Sequence, residues 1–84
     1  MKVREYSVKD HKFAFSEPFQ APDDAVARRY FGMIVNGSGS NVMNYAPADF
    51  DLFAIAEFDT ESGQVTPIYP VEFIVNGASV AAEK

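Results

Sequence analysis

Eighty-four residues without a cysteine exclude a disulfide-stapled domain and any thiolate metal site. The chain is 48% hydrophobic with eight Phe and four Tyr, enough for one modest core, so we expect a single domain over residues 1–84 held by apolar burial. The formal net charge of −5 argues against a protein that wraps a polyanion over its whole surface, and no run approaches the roughly 20 apolar residues of a membrane helix.

The opening MKVREYSVKD is broken by charge every second or third residue, unlike a signal-peptide core, and we expect a soluble intracellular protein. Its alternation of Val3, Glu5 and Ser7 with Arg4, Tyr6 and Val8 predicts a strand. After a polar break at 10–12, FAFSEPF predicts a second short extended piece. Pro18 and Pro22 remove backbone donors and confine 16–22 to an edge or a loop. DDAVARRYFGMIVNG predicts the one amphipathic helix. Asp23 caps its start, Val26, Tyr30 and Ile34 form its apolar stripe together with Ala27 and Phe31, and Asn36-Gly37 supplies a left-handed stop. Arg28 and Arg29 then fall on or beside its polar face.

SGSNVMNY has no periodicity and predicts a flexible loop over 37–46. From Asp51 to Phe58 both parities are apolar, with Leu52, Ala54, Ala56 and Phe58 against Phe53 and Ile55, which predicts a central strand. DTESG supplies a turn in which Gly63 takes positive φ, and QVTPIY returns as the partner strand. VEFIVNGASV is expected as a last strand or a short helix, and the tail over 79–84 as frayed. The motif IVNG occurs at 34–37 and 74–77, but the residues before the two copies do not match, so it reads as chance and not duplication. The predicted fold class is α+β, a small antiparallel sheet with one amphipathic helix packed on it.

Little in the chain suggests catalysis. Glu57, Asp59 and Glu61 share one parity, but the spacing of a calcium loop is missing and they read as the wet end of a strand and its turn. His11 is the only histidine, so a histidine pair for zinc is impossible. Ser38, Gly39 and Ser40 resemble a phosphate loop only superficially, since no Lys-Ser/Thr follows. No enzyme, metal or cofactor is expected.

Charge and aromatic placement carry more. Residues 1–29 hold six basic groups against five acids, a balance of +1, whereas residues 30–84 hold one against seven, a balance of −6. Lys2, Arg4, Lys9 and Lys12 interleave with Tyr6, Phe13, Phe15 and Phe19, and Arg28 and Arg29 precede Tyr30 and Phe31. Single-stranded nucleic acid uses this mixture, cations along the phosphates and rings against the bases. Phe13, Phe15 and Phe31, however, are expected in the core, because so short a chain needs its aromatics inside.

Pro18-Phe19, Ala27-Arg28 with Phe31, Pro47 with Asp49 to Phe53, and Phe58-Asp59 through Gly63 form a pattern spread over most of residues 1–70. This pattern resembles the small non-structural protein of gokushovirus-type microviruses, bacteriophages with circular single-stranded DNA genomes. The resemblance implies a protein made in the cytoplasm of the infected bacterial host, outside the capsid, with a part in viral DNA replication or its switch to packaging and a DNA-binding label. The leading expectation is a non-enzymatic phage accessory protein that binds single-stranded DNA weakly and without sequence preference. Lys2, Arg4, Lys9, Lys12, Arg28 and Arg29 would hold phosphates, and Tyr6 and Tyr30 would stack on bases. The alternative is a homodimeric interaction module that engages a viral or host replication protein through its sheet edge or acidic hairpin, with no membrane role. Six cations on one face favour DNA; scattered cations beside an exposed apolar surface favour protein contact. If the acids at 57–61 are only a wet turn, millimolar calcium or magnesium leaves the melting temperature unchanged, and a clear rise in a thermal melt would overturn that assignment.

Overall fold

The computed structural model describes residues 1–37 and 41–81. Ser38 to Ser40, part of the expected loop, and residues 82–84 of the expected frayed tail lie outside the described residues. Four strands, β1 (Lys2–Asp10), β2 (Phe19–Ala21), β3 (Phe50–Asp59) and β4 (Val65–Asn76), form one sheet in the order β2-β1-β3-β4. Every neighbouring pair is antiparallel. Helix α1 (Asp24–Val35) packs on the sheet, joined by the short helices α2 (Val42–Tyr45) and α3 (Gly77–Val80) and a 3-10 turn at Pro47–Asp49. The architecture is thus the expected α+β fold, with two short helices that the sequence left in a loop and in an ambiguous tail.

The termini of α1 follow from local chemistry. Asp23 is the N-cap, and its carboxylate accepts from the Val26 N–H at 2.9 Å. The stop differs from expectation, because Asn36 has φ −92° and is not left-handed. Its side-chain amide instead donates to the Gly32 and Val80 carbonyls at 2.8 and 2.9 Å, so the C-terminus of α1 is closed against α3. Asn41 and Asn44 in turn donate to the Ile34 and Val35 carbonyls, which ties α2 to the same end.

The buried stripe of α1 also differs. Ala27, Phe31 and Val35 are buried, whereas Tyr30 and Ile34 of the expected stripe stand 45% and 42% exposed and Val26 is half-buried. Both stripes have helical spacing and lie one residue apart, so periodicity alone cannot choose between them. The choice is made at the first turn. Asp24 lies on the same helical stripe as Ala27, Phe31 and Val35, and it is anchored to Arg4 and Tyr6 on β1, which rolls that stripe onto the sheet.

Tyr6 and Val8 from β1, Phe50, Leu52 and Ala54 from β3, and Val75 from β4 meet Ala27, Phe31 and Val35 in the core. In β3 Phe50, Leu52 and Ala54 face the helices, and past a register shift between Glu5 and Tyr6 of β1 the alternation changes, with Ala56 opposite Glu5; helices cover only one face of this central strand. Gly63 adopts φ 76° in the β3–β4 turn, as expected. Strand β4 runs through Pro67 and Pro70 up to Asn76, and it tolerates both because it is an edge strand whose outer side needs no partner. It is far from regular. Residues 68–71, with a cis Tyr69-Pro70 peptide, stand opposite Ile55 alone, and Ile74 has no partner between the Leu52–Val75 and Phe53–Phe73 pairs. After Asn76 the chain turns into α3 at Gly77, where an added Cβ would overlap the Pro47 carbonyl oxygen.

From this packing, Phe31→Ala lowers stability by about 3–5 kcal/mol, as expected for a fully buried Phe. Ile34→Ala costs less than about 1 kcal/mol because its side chain sits at the rim. Urea denaturation of the two variants checks the order; equal losses would place Ile34 in the core after all.

Candidate binding surfaces

Four of the residues expected to bind nucleic acid have prior engagements. Tyr6 is wholly buried, and its hydroxyl donates to Asp24 at 2.6 Å, so its ring has no face for a base. The ring is instead stacked on Phe19 inside the fold, at 5.7 Å between centroids. Arg4 gives one guanidinium nitrogen to both Asp24 oxygens at 2.8 and 3.0 Å and reaches the two Glu72 oxygens at 3.0 and 3.3 Å. Lys12 lies 3.5 Å from Asp49. Tyr30 is half-exposed but leans on Phe19.

The other cations are spread over both layers. Arg28 and Arg29 project from α1, on the helical layer. Lys9 belongs to the opposite face of the sheet, with its ammonium 5.3 Å from the centre of the Phe15 ring. Lys2 is exposed at the far end of β1, in register with Asp59. The eight residues therefore do not form one face. Sequence proximity suggested that they would, but an antiparallel strand sends alternate side chains to opposite sides and the helix lies on only one of them.

Arg4, Asp24, Tyr6 and Glu72 make a brace across three elements, and their ionisation follows from it. The hydrogen bonds of Glu72 and then Asp24 raise the Arg4 pKa, outweighing its loss of hydration. Burial first, then the bond to Asp24, pushes the Tyr6 phenol up from 10.0. For Asp24 burial acts upward and is the largest single influence, but the Tyr6 and Arg4 hydrogen bonds together hold the carboxyl below 3.8.

The face of the sheet away from the helices carries no helix and is partly open: Ser7 is buried there, whereas Phe15 and Phe73 stay exposed. The segment after β1 turns back alongside β1, on the edge that β2 also pairs with, through an antiparallel Lys9–Phe15 bridge, and Ser16 closes on Val8 and Ser7 by three hydrogen bonds. Phe15 meets Phe53 edge to face at 5.6 Å, and Phe53 meets Phe73 in the same way at 5.9 Å. Phe73 remains 56% exposed and Phe15 45%. Phe13, expected in the core, is exposed at the tip of the fold-back, and Phe15 with it is displaced from the helical side. Phe53 and Phe73 are the surface residues that the sequence reading missed. A signal existed, because one helix cannot cover both faces of a strand that is apolar at both parities.

At one end of this face the sole histidine has a partner. His11 Nε2 lies 2.7 Å from Asp51 Oδ2, and Asn76 donates to Asp51 Oδ1 at 2.8 Å. At the other end, Asp59 accepts from the Glu61 N–H at 2.9 Å inside the β3–β4 turn, and turn hydrogen bonds of this kind lower its pKa. The acids thus shape the turn. Among the described residues, no group of three or more His, Asp or Glu is placed to hold a metal ion, and no helix is long and apolar enough to cross a membrane.

Comparison with known proteins gives one match. A family model described as Phage ORF5 protein covers residues 3–80. No curated protein and no solved structure matches the chain.

The brace sets the expected pH dependence of stability. The contribution of Asp24 is complete above its unfolded value near 3.8 and is lost as pH falls through its depressed folded value. The contribution of Tyr6 is complete below 10.0 and is lost as pH rises through its elevated folded value. The urea midpoint should therefore be flat at intermediate pH and fall on both sides. Tyr6→Phe should remove part of the alkaline fall and make the acid fall shallower, since Asp24 loses a donor. Superimposable alkaline limbs for the two proteins would free Tyr6 of this role.

Proposed function

Because the chain belongs to the Phage ORF5 protein family, we propose that this phage protein is a non-enzymatic accessory factor that works by contact with other proteins, in the cytoplasm of the infected bacterium, at the replication of the viral genome or its switch to packaging. The observation behind this reading is the separation of charge from aromatic surface. The six cations of the first 29 residues are divided between two layers, and two of them are already paired with acids. Meanwhile Phe15, Phe53 and Phe73 leave a broad apolar area open on the sheet. Contiguous exposed apolar surface rimmed by polar groups is the mark of a protein-contact site. The resemblance to small non-structural proteins of gokushovirus-type microviruses supports the stage of infection.

The open sheet face, and not the sheet edge, is the better candidate for that contact. Strand β4 carries two prolines and two irregularities, the devices by which edge strands avoid pairing with other chains. Strand β2 has only three residues. In the acidic hairpin, Asp59 accepts from its own turn and Glu61 lies 3.4 Å from the N-terminal ammonium.

A second reading rests on the same three rings. Aromatic side chains on an open sheet face can stack on the bases of single-stranded DNA, with Lys9 beside a phosphate. Charge works against it. A protein at −5 with its free cations divided repels a polyanion at long range.

Titration with fluorescent single-stranded oligonucleotides of about 16 nucleotides separates the readings. Six phosphate contacts would give a salt slope of roughly 4 log units per log unit of salt, at about 0.7 per contact. The protein-contact reading expects no saturable, salt-sensitive binding, and no change on replacing Arg28 and Arg29 with Ala. Saturable binding with a slope near 4 that the double replacement lowers by about 1.4 would restore the DNA reading.

A further inference from the structure

We propose that the open face of the sheet is closed by a second copy of this chain, two sheets packing face to face about a two-fold axis that runs along the Phe15–Phe53–Phe73 row. This inference rests on the reading of the chain as a protein-contact module and names its first partner.

The argument begins with register. Pairing of β1 with β2 puts Arg4 beside Ala21 and Tyr6 beside Phe19, both pairs on the helical side, so Glu5 and Gln20 project from the open face. Ser7 and Lys9 follow on that same face by the period of two. Ser7 is in register with Phe53, and Phe53 with Phe73. Phe53 and Phe73 therefore lie at the level of Ser7, and the ring of Phe15, whose backbone pairs with Lys9, leans across to Phe53. Lys9 stands two residues to one side of that level and Glu5 two residues to the other, each at about 7 Å along the strand.

A two-fold axis lying along that row reverses the strand direction of the second copy. It brings Lys9 of each chain over Glu5 of the other, while the aromatic rows meet at the axis. The face is thus complementary to itself in charge as well as in apolar character, the condition for an isologous interface. Asp51, in register with Lys9, is held by His11 and Asn76.

The size approaches that of a stable interface. Three strands about 4.8 Å apart over a nine-residue span of about 3.4 Å per residue, with the three residues of β2 beside them, give a planar footprint of roughly 500 Å² before side-chain relief. A stable interface takes about 800 Å² per partner. Sheets stacked about 10 Å apart bury their facing side chains by interdigitation, which the upright, half-exposed rings of Phe15 and Phe73 suit.

The test is the mass in solution, by sedimentation equilibrium at low salt, of the wild type, Glu5→Lys, Lys9→Glu, the double exchange and Phe73→Ser, with circular dichroism to establish folding. The wild type should be a dimer at micromolar concentration. Each single charge reversal should weaken association at least tenfold, because it sets like charges opposite one another. The double exchange should recover most of that loss, and Phe73→Ser should abolish the dimer with the fold intact. Because Phe73 is an exposed edge-strand residue, that variant decides the matter even where a charge reversal fails to fold. A wild type that is monomeric at about 100 μM, or a dimer indifferent to Phe73→Ser, overturns the inference. So does a double exchange that dimerises no better than the singles. Running the oligonucleotide titration on the same samples keeps the two failures apart. A monomer that binds no oligonucleotide removes only the second copy and leaves the protein-contact reading in place. A monomer that binds oligonucleotide through Phe73 removes both.

Discussion

The guanidinium of Arg4 is the point from which the rest of the molecule is oriented. It grows from β1 near the middle of the sheet, holds Asp24 at the first turn of α1 and takes Glu72 from the edge strand β4. Placing a cation there costs hydration, and two carboxylates with the Tyr6 hydroxyl on Asp24 offset that cost. The geometric consequence exceeds the energetic one. Asp24 shares a helical stripe with Ala27, Phe31 and Val35, so fixing its carboxylate fixes the roll of the helix. Of two apolar stripes one residue apart, the brace selects the one that enters the core.

That selection leaves everything on one side. Phe31 and Val35 meet Tyr6, Leu52 and Val75, α2 and α3 close on the C-terminal end of α1, and the opposite face of the sheet receives only the short fold-back that carries Phe15. A central strand that is apolar at both parities ordinarily has helices or a second sheet on both sides. Here β3 has the sequence of such a strand and one face covered by helices, with Phe53 on the other. The chain is a member of the Phage ORF5 protein family, and the protein-contact reading proposed for it rests on this uncovered face. The brace also engages the one arginine of β1 with two carboxylates.

The two sheet edges are treated differently from the open face. Strand β2 is too short to template another strand, and β4 is interrupted by Pro67, Pro70 and two places where its register slips against β3. A chain with apolar surface to spare and strands to expose risks indefinite pairing, and blunted edges direct association to the face. A face has limited area and saturates, whereas an open edge can propagate.

The amino-acid sequence by itself determined the elements whose causes are local. The alternation of β1, the cap at Asp23, the extent of α1, the Gly63 turn and the hairpin it joins all depend on neighbours within a few residues, and the α+β class follows from their order. The short helix at Val42–Tyr45 escaped because its cap, Asn41, serves a segment too short for periodicity to register, and the same shortness left 71–80 open between a strand and the helix Gly77–Val80. Phe13, Phe15 and Tyr6 were misplaced for a different reason. Composition tells how many rings and cations a chain has, but an antiparallel sheet assigns them to faces by register, and register depends on which strands pair. Only the tertiary structure decided that Tyr6 goes under the helix and Phe15 does not, that Arg4 is spent on Asp24 and Glu72, and that Lys9 and Arg28 lie on opposite layers. The Tyr6 and Arg4 outcomes turn on contacts between residues 18 to 68 positions apart in the chain, a range over which no local pattern in the sequence carries information.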